Sequence, residues 1–89
     1  MWRAAPPEDL VWNTWDDEFV VFHRPSGRTH FLNAASAEII TRHLSRPAST
    51  ADIADAYPSP DETVDAAHHL EDILSLLQRF EHLGLIKRV

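Results

Sequence analysis

With 89 residues and no cysteine, the chain is one domain that buries about 60–65% of its unfolded surface without disulfide support. Its apolar share of 44% and charged share of 25% are those of a globular chain and not of a disordered one. The net charge of −6 opposes nucleic acid unless basic residues are segregated. With no apolar run of about 18 residues and no h-region behind Met1-Trp2-Arg3, neither a membrane span nor a signal peptide is expected, and the location expected is cytoplasmic.

Residues 1–9, with Ala4-Ala5-Pro6-Pro7-Glu8, predict an extended tail, because each proline removes a donor and turns its predecessor away from helix. The domain proper is expected over 10–89. Leu10 to Trp15 reads as a first strand and Asp16-Asp17-Glu18 as the polar turn behind it. Phe19-Val20-Val21-Phe22 and Thr29-His30-Phe31-Leu32, rich in β-branched and aromatic residues, then form a hairpin. Arg24-Pro25-Ser26-Gly27 between them carries Pro and Gly where a type I turn takes them.

A four-residue loop closing on His23 and Arg28 pairs Phe22 with Thr29, Val21 with His30, Val20 with Phe31 and Phe19 with Leu32. One face then shows Val20, Phe22, Thr29 and Phe31, and the other Phe19, Val21, His30 and Leu32. Both faces are largely apolar, so each needs cover from the helices or from something brought in. The third strand lies at an edge of the meander, where unpaired N–H and C=O groups are open to another chain.

Asn33 is a good N-cap for a helix over Ala34 to Leu44, with Ala37, Ile40 and Leu44 on one stripe. Arg46-Pro47-Ala48 ends it. Ser49-Thr50-Ala51-Asp52 has the form of a capping box for a short second helix that stops before Pro58. Ser59-Pro60-Asp61-Glu62 predicts the start of a long third helix. Its stripe runs through Val64, Ala67, Leu70, Ile73, Leu74, Leu77, Phe80 and Leu83. Gly84 at C′ allows a Schellman turn with Leu85 on Phe80. The fold class expected is therefore α+β and winged-helix-like, a three-stranded antiparallel sheet followed by three helices.

From Phe31-Leu32-Asn33-Ala34-Ala35-Ser36-Ala37-Glu38-Ile39 onward the chain resembles the PqqD family. Thr50-Ala51-Asp52-Ile53-Ala54 is similar to that family's Thr-x-x-Ile-Ala helix start, and Asp72 to Leu77 with Leu83-Gly84-Leu85-Ile86 to its closing segment. Trp15-Asp16, Val20-Val21-Phe22 and Ser26-Gly27-x-Thr29-His30-x-Leu32 resemble the PqqD relatives of the HPr-rel-A system. The resemblance spans about residues 10 to 89. It implies a peptide-recognition element that holds the leader of a ribosomally made precursor as an added strand and presents it to a modifying enzyme. On that resemblance the edge is Arg28, Thr29, His30, Phe31 and Leu32. The apolar pocket surface comes from Ile73, Leu76, Leu77 and Phe80, with Arg28 and Arg79 steering an acidic segment.

No catalytic residue, cofactor or metal is expected. His68, His69 and Asp72 lack the three or four converging ligands of a tight site. Ser26 and His30 lack an oxyanion loop, and two glycines make no phosphate cradle. A winged-helix DNA binder is the competing reading. It meets six acids and one base, Arg79, between Asp61 and Leu83, on the element that would face phosphates. A third reading is a homodimer sealed through the same edge.

Overall fold

The computed structural model describes residues 1–58 and 65–89. The fold is α+β, a three-stranded antiparallel sheet with three helices. The sheet has the order β2 (Leu10–Trp15), β3 (Glu18–His23), β4 (Arg28–Leu32). Each expected cross-strand pair of the hairpin is present: Phe19↔Leu32, Val20↔Phe31, Val21↔His30, Phe22↔Thr29, closed by His23↔Arg28. Gly27 has φ of 69° and donates its N–H to His23 O at 2.9 Å, a left-handed position that glycine takes without strain. Between β2 and β3 the loop is only Asp16-Asp17, both at positive φ. Glu18, expected in the turn, belongs to the strand.

The first nine residues are extended but do not form a tail. β1 (Trp2–Ala4) pairs antiparallel with β5 (Ile86–Arg88), and Trp2 exchanges main-chain hydrogen bonds with Ala48 at 2.8 and 2.9 Å. The Trp2 indole is buried and donates to Thr50 Oγ1 at 2.9 Å. A single-turn 3-10 helix, Pro7–Asp9, then leads into β2. The prolines are compatible with this because they follow the short strand instead of interrupting it.

Helix α1 (Ala34–Glu38) is capped by Asn33, whose Oδ1 accepts from Ser36 N–H at 2.8 Å. The expected single helix to Leu44 changes character halfway: Ile39–His43 is a π-helical turn, closed by Leu44 N–H donating to Ile39 O at 2.9 Å. The wider turn brings Leu44 back over Ile39 and Ile40, and all three are buried. Helix α2 (Thr50–Ala56) has the complete Ser49/Asp52 capping box, with bonds of 3.0 and 3.1 Å. Tyr57 at its end donates to Glu38 Oε1 at 2.7 Å. Burial and that bond push the Tyr57 phenol up to about 12, so it stays a donor throughout the neutral range.

Helix α3 (Ala66–His82) starts later than the sequence predicts. Asp65 is extended and caps it by accepting from His68 N–H at 2.8 Å, whereas the expected cap at Ser59-Pro60 lies outside the described residues. The far end is a Schellman turn. Leu85 N–H donates to Phe80 O at 2.9 Å and Gly84 N–H to Glu81 O at 3.0 Å, as the 6→1 and 5→2 bonds require.

Gly84 has φ of +81°, and a Cβ there would lie 2.7 Å from the His23 ring. Gly84→Ala is therefore expected to cost about 1–3 kcal/mol, lowering Tm by about 5–20 °C in a domain of this size. Gly27, also at positive φ but with open space around it, should lose only about 1 kcal/mol on the same change. Thermal melts of the two variants side by side check this order.

Candidate functional site

The two-residue turn makes Trp15↔Glu18 a hydrogen-bonded pair, and antiparallel pairs alternate from there. On the central strand, Glu18, Val20 and Phe22 therefore bond to β2, while Phe19, Val21 and His23 bond to β4. On the outer strands, Leu10, Trp12 and Thr14 of β2 and Thr29 and Phe31 of β4 direct their main-chain groups away from the sheet.

The two edges differ. On β2 the Leu10 N–H donates to Pro7 O and the Thr14 N–H is taken by Asn13 Oδ1 at 2.8 Å. On β4, no described residue bonds to the main chain of Thr29 or Phe31. Local hydrogen bonds, one main-chain and one side-chain, thus blunt one edge and leave the other open.

Beside the open edge, β4 and the end of α3 enclose a cavity of about 320 Å³ lined by Ser26, Arg28, His30, His82 and Leu83. Of the α3 residues expected as pocket surface, Ile73, Leu77 and Phe80 are closed off in the core, Leu77 completely. They follow the i, i+4, i+7 stripe at the centre of the buried face. Leu76 is half-buried on the flank of that stripe, as is Leu83 seven residues on. Arg79, exposed, falls between them at i+3. At this end of the helix, His82 and Leu83 are the residues that line the cavity beside β4. Leu83 and His82 went unassigned in the sequence, where Leu83 reads only as the last member of the apolar stripe. The inner sheet face carries buried Val21 and half-buried Phe19, His30 and Leu32. The outer face leaves Val11, Trp15, Phe22 and Phe31 exposed, with Trp15 at 71% and Phe31 at 68%. Of the two faces that needed cover, only the inner has received it from the described residues.

His30 is the electrostatic oddity of this edge. Its Nε2 is buried with no hydrogen-bond partner among the described residues. Burial foremost, then His23 and Arg28, hold its pKa below the ordinary imidazole value. His23 lies elsewhere, with Nδ1 2.7 Å from Ser26 Oγ and its ring against Gly84. At the start of α3, His68 Nδ1 is 3.0 Å from Asp65 Oδ1, a local cap contact. Among the described residues no three His, Asp or Glu side chains converge as metal ligands. No helix among them is long and apolar enough to cross a membrane.

A histidine whose folded pKa is depressed binds fewer protons folded than unfolded, so stability falls as pH drops below about 6.5. The wild-type protein should lose more denaturant stability between pH 8 and pH 5.5 than His30→Phe does. Equal losses in paired urea titrations would show that His30 carries no such linkage.

No family model matches the chain, and no curated protein matches it. Among solved structures it is similar to a lasso peptide synthetase B1 complexed with the leader peptide, at 25% identity over 98% of both chains with a TM-score of 0.70. It is also similar to TbiB1 in complex with the TbiA(beta) leader peptide, at 22% identity over 97% of this chain and 96% of that one, again with a TM-score of 0.70. Both likenesses extend over nearly the whole of each chain.

Proposed function

We propose that this protein is a non-catalytic recognition domain that captures a leader peptide, or a partner's extended segment, as an added strand on β4 and presents it to a modifying enzyme. The observation that carries this reading is the open main chain of Thr29 and Phe31 beside the cavity that His82 and Leu83 close at the end of α3. Strand addition takes its affinity from main-chain hydrogen bonds and its selectivity from neighbouring pockets. The edge of this reading is Arg28, Thr29, His30, Phe31 and Leu32. Leu76 and Leu83 supply the apolar wall, with Ile73, Leu77 and Phe80 supporting it from beneath, and Arg28 and Arg79 draw in an acidic segment.

The solved lasso peptide synthetase B1 holds a leader peptide, which supports a peptide ligand here. Recognition through main-chain groups tolerates side-chain divergence, so an identity of 25% is compatible with a shared binding mode. The sequence resemblance to the PqqD family and to the HPr-rel-A relatives points the same way, toward a cytoplasmic partner of a modifying enzyme. DNA binding is disfavoured: α3 carries Glu71, Asp72 and Glu81 against Arg79, a charge balance that repels phosphate.

The expected result is that a synthetic peptide from a precursor encoded beside this gene binds the full chain at about micromolar affinity, about −8 kcal/mol. Phe31→Pro should abolish that binding, because its outward N–H is lost while the ladder to β3 keeps all its donors. His30→Pro, which removes a donor facing Val21, should instead damage the sheet itself. Calorimetry with circular dichroism on both variants separates these effects. A folded Phe31→Pro protein that binds normally would refute strand addition at β4. A stable dimer sealed through β4 would replace the peptide reading with self-association.

A further inference from the structure

The blunted edge of the sheet borders a second groove. A cavity of about 620 Å³ lies between β2, the π-helical turn and the β1–β5 ribbon, and one of about 340 Å³ between β2, Phe19, α1 and the same turn; Trp12 and Thr41 line both. The larger is walled by Pro6, Pro7, Leu10, Trp12, Ile40 and Leu44, an apolar surface of the size that holds a ligand group. π-Helical turns are rare and gather at functional sites, and here the turn forms one wall.

Two cationic side chains face the larger cavity without an acidic partner among the described residues. Arg3 and Lys87 stand directly opposite each other on β1 and β5, and both line the larger cavity. Like charges in that position destabilise a strand pair. The adjacent cationic position is compensated: Arg88 Nε donates to Glu81 Oε2 at 3.1 Å, and its guanidinium lies 4.7 Å over the Trp2 ring. Among the described residues neither Arg3 nor Lys87 makes an ion pair. Arg42 lines the smaller cavity, where Glu38 is the one acidic side chain and already accepts from Tyr57. Two of the eight Lys and Arg residues of a chain with net charge −6 thus line the larger cavity, and a third, Arg42, lines the adjoining one.

The main chain adds a docking point. With Leu10 N–H bonded to Pro7 O and Thr14 N–H to Asn13 Oδ1, Trp12 alone keeps its outward N–H and C=O free on β2 among the described residues. That is too little for a full added strand and enough for one peptide unit.

We propose that this groove binds a short protein segment bearing an apolar side chain flanked by carboxylates. The side chain enters the larger cavity, one peptide unit pairs with the Trp12 main chain, and the carboxylates neutralise Arg3 and Lys87. The site lies on the opposite edge of the sheet from β4 and stands whether or not β4 binds a leader.

The test is amide chemical-shift mapping on the full chain with pools of acetylated hexapeptide amides at millimolar concentration. One pool has Leu, Ile, Phe or Trp flanked by Glu, the other the same residues flanked by Lys. The Glu pool is expected to shift Arg3, Leu10, Trp12, Thr41 and Lys87, and the Lys pool to leave them unchanged. The double change Arg3→Glu and Lys87→Glu, at two exposed positions, should weaken the Glu pool by about tenfold or more while leaving any β4 ligand unaffected. Arg3→Glu alone should raise Tm, because it turns a repelling cross-strand pair into an attracting one. Equal shifts from both pools, no shift at these residues, or shifts confined to Arg28–Leu32 would each overturn the proposal.

Discussion

The contact on which the architecture turns is the seating of the His23 ring on Gly84. It brings the last residue of β3 against the C-terminal turn of α3, at a point where any side chain would collide. Because Leu85 and Ile86 follow directly into the core, the same point sets the direction of β5. Ala5 N–H then bonds to Leu85 O at 2.9 Å, and the N-terminal ribbon is placed in turn. Sheet, long helix and terminal strands are referenced to one turn of backbone.

The sheet is asymmetric in a way that composition does not show. Both outer strands have main-chain groups directed outward, yet on β2 Pro7 and Asn13 take the Leu10 and Thr14 N–H groups and leave only Trp12 open, while β4 leaves both Thr29 and Phe31 bare. A single asparagine side chain is enough to make one edge a poor template for another strand. The chemistry of the open edge resides in atoms common to all residues. Such an edge persists through wide sequence change provided the register persists, and the register is held by turn geometry and by the buried face of Val21.

Much of the local structure was legible because it is encoded locally. Pro25 and Gly27 set the hairpin loop and with it every cross-strand pair. Asn33 and Ser49 mark helix starts by their capping oxygens, and Gly84 marks a helix end by its backbone freedom. What escaped is encoded at a distance or outside the usual periods. β1 is three residues long and its partner lies more than eighty residues away, so nothing near Trp2 announces a strand. The π-helical turn escaped because Ile40 and Leu44 satisfy an ordinary helical stripe as well as the wider one. In the candidate site, apolar spacing identified the stripe of Ile73, Leu77 and Phe80 but not which side of it faces a ligand. That depends on how α3 lies against the hairpin, which buries Ile73, Leu77 and Phe80 and brings Leu83 to the cavity beside β4. That the third strand lies at an edge was legible, but which of its residues turn outward follows only once the two-residue Asp16-Asp17 turn fixes the phase of the ladder.

The π-helical turn has a consequence for how this chain tolerates changes in length. A five-residue hydrogen-bonded step differs from the ordinary four-residue step by one inserted residue, so Ile39–His43 stores that residue inside an element instead of in a loop. Deleting one position there converts the segment to regular α-helix while Asn33 and Leu44 keep their ends in place. The groove beside Trp12 changes shape with that single length step, and the β2–β3–β4 sheet does not. Length variation at this turn is a means of remodelling one side of the domain without disturbing the other.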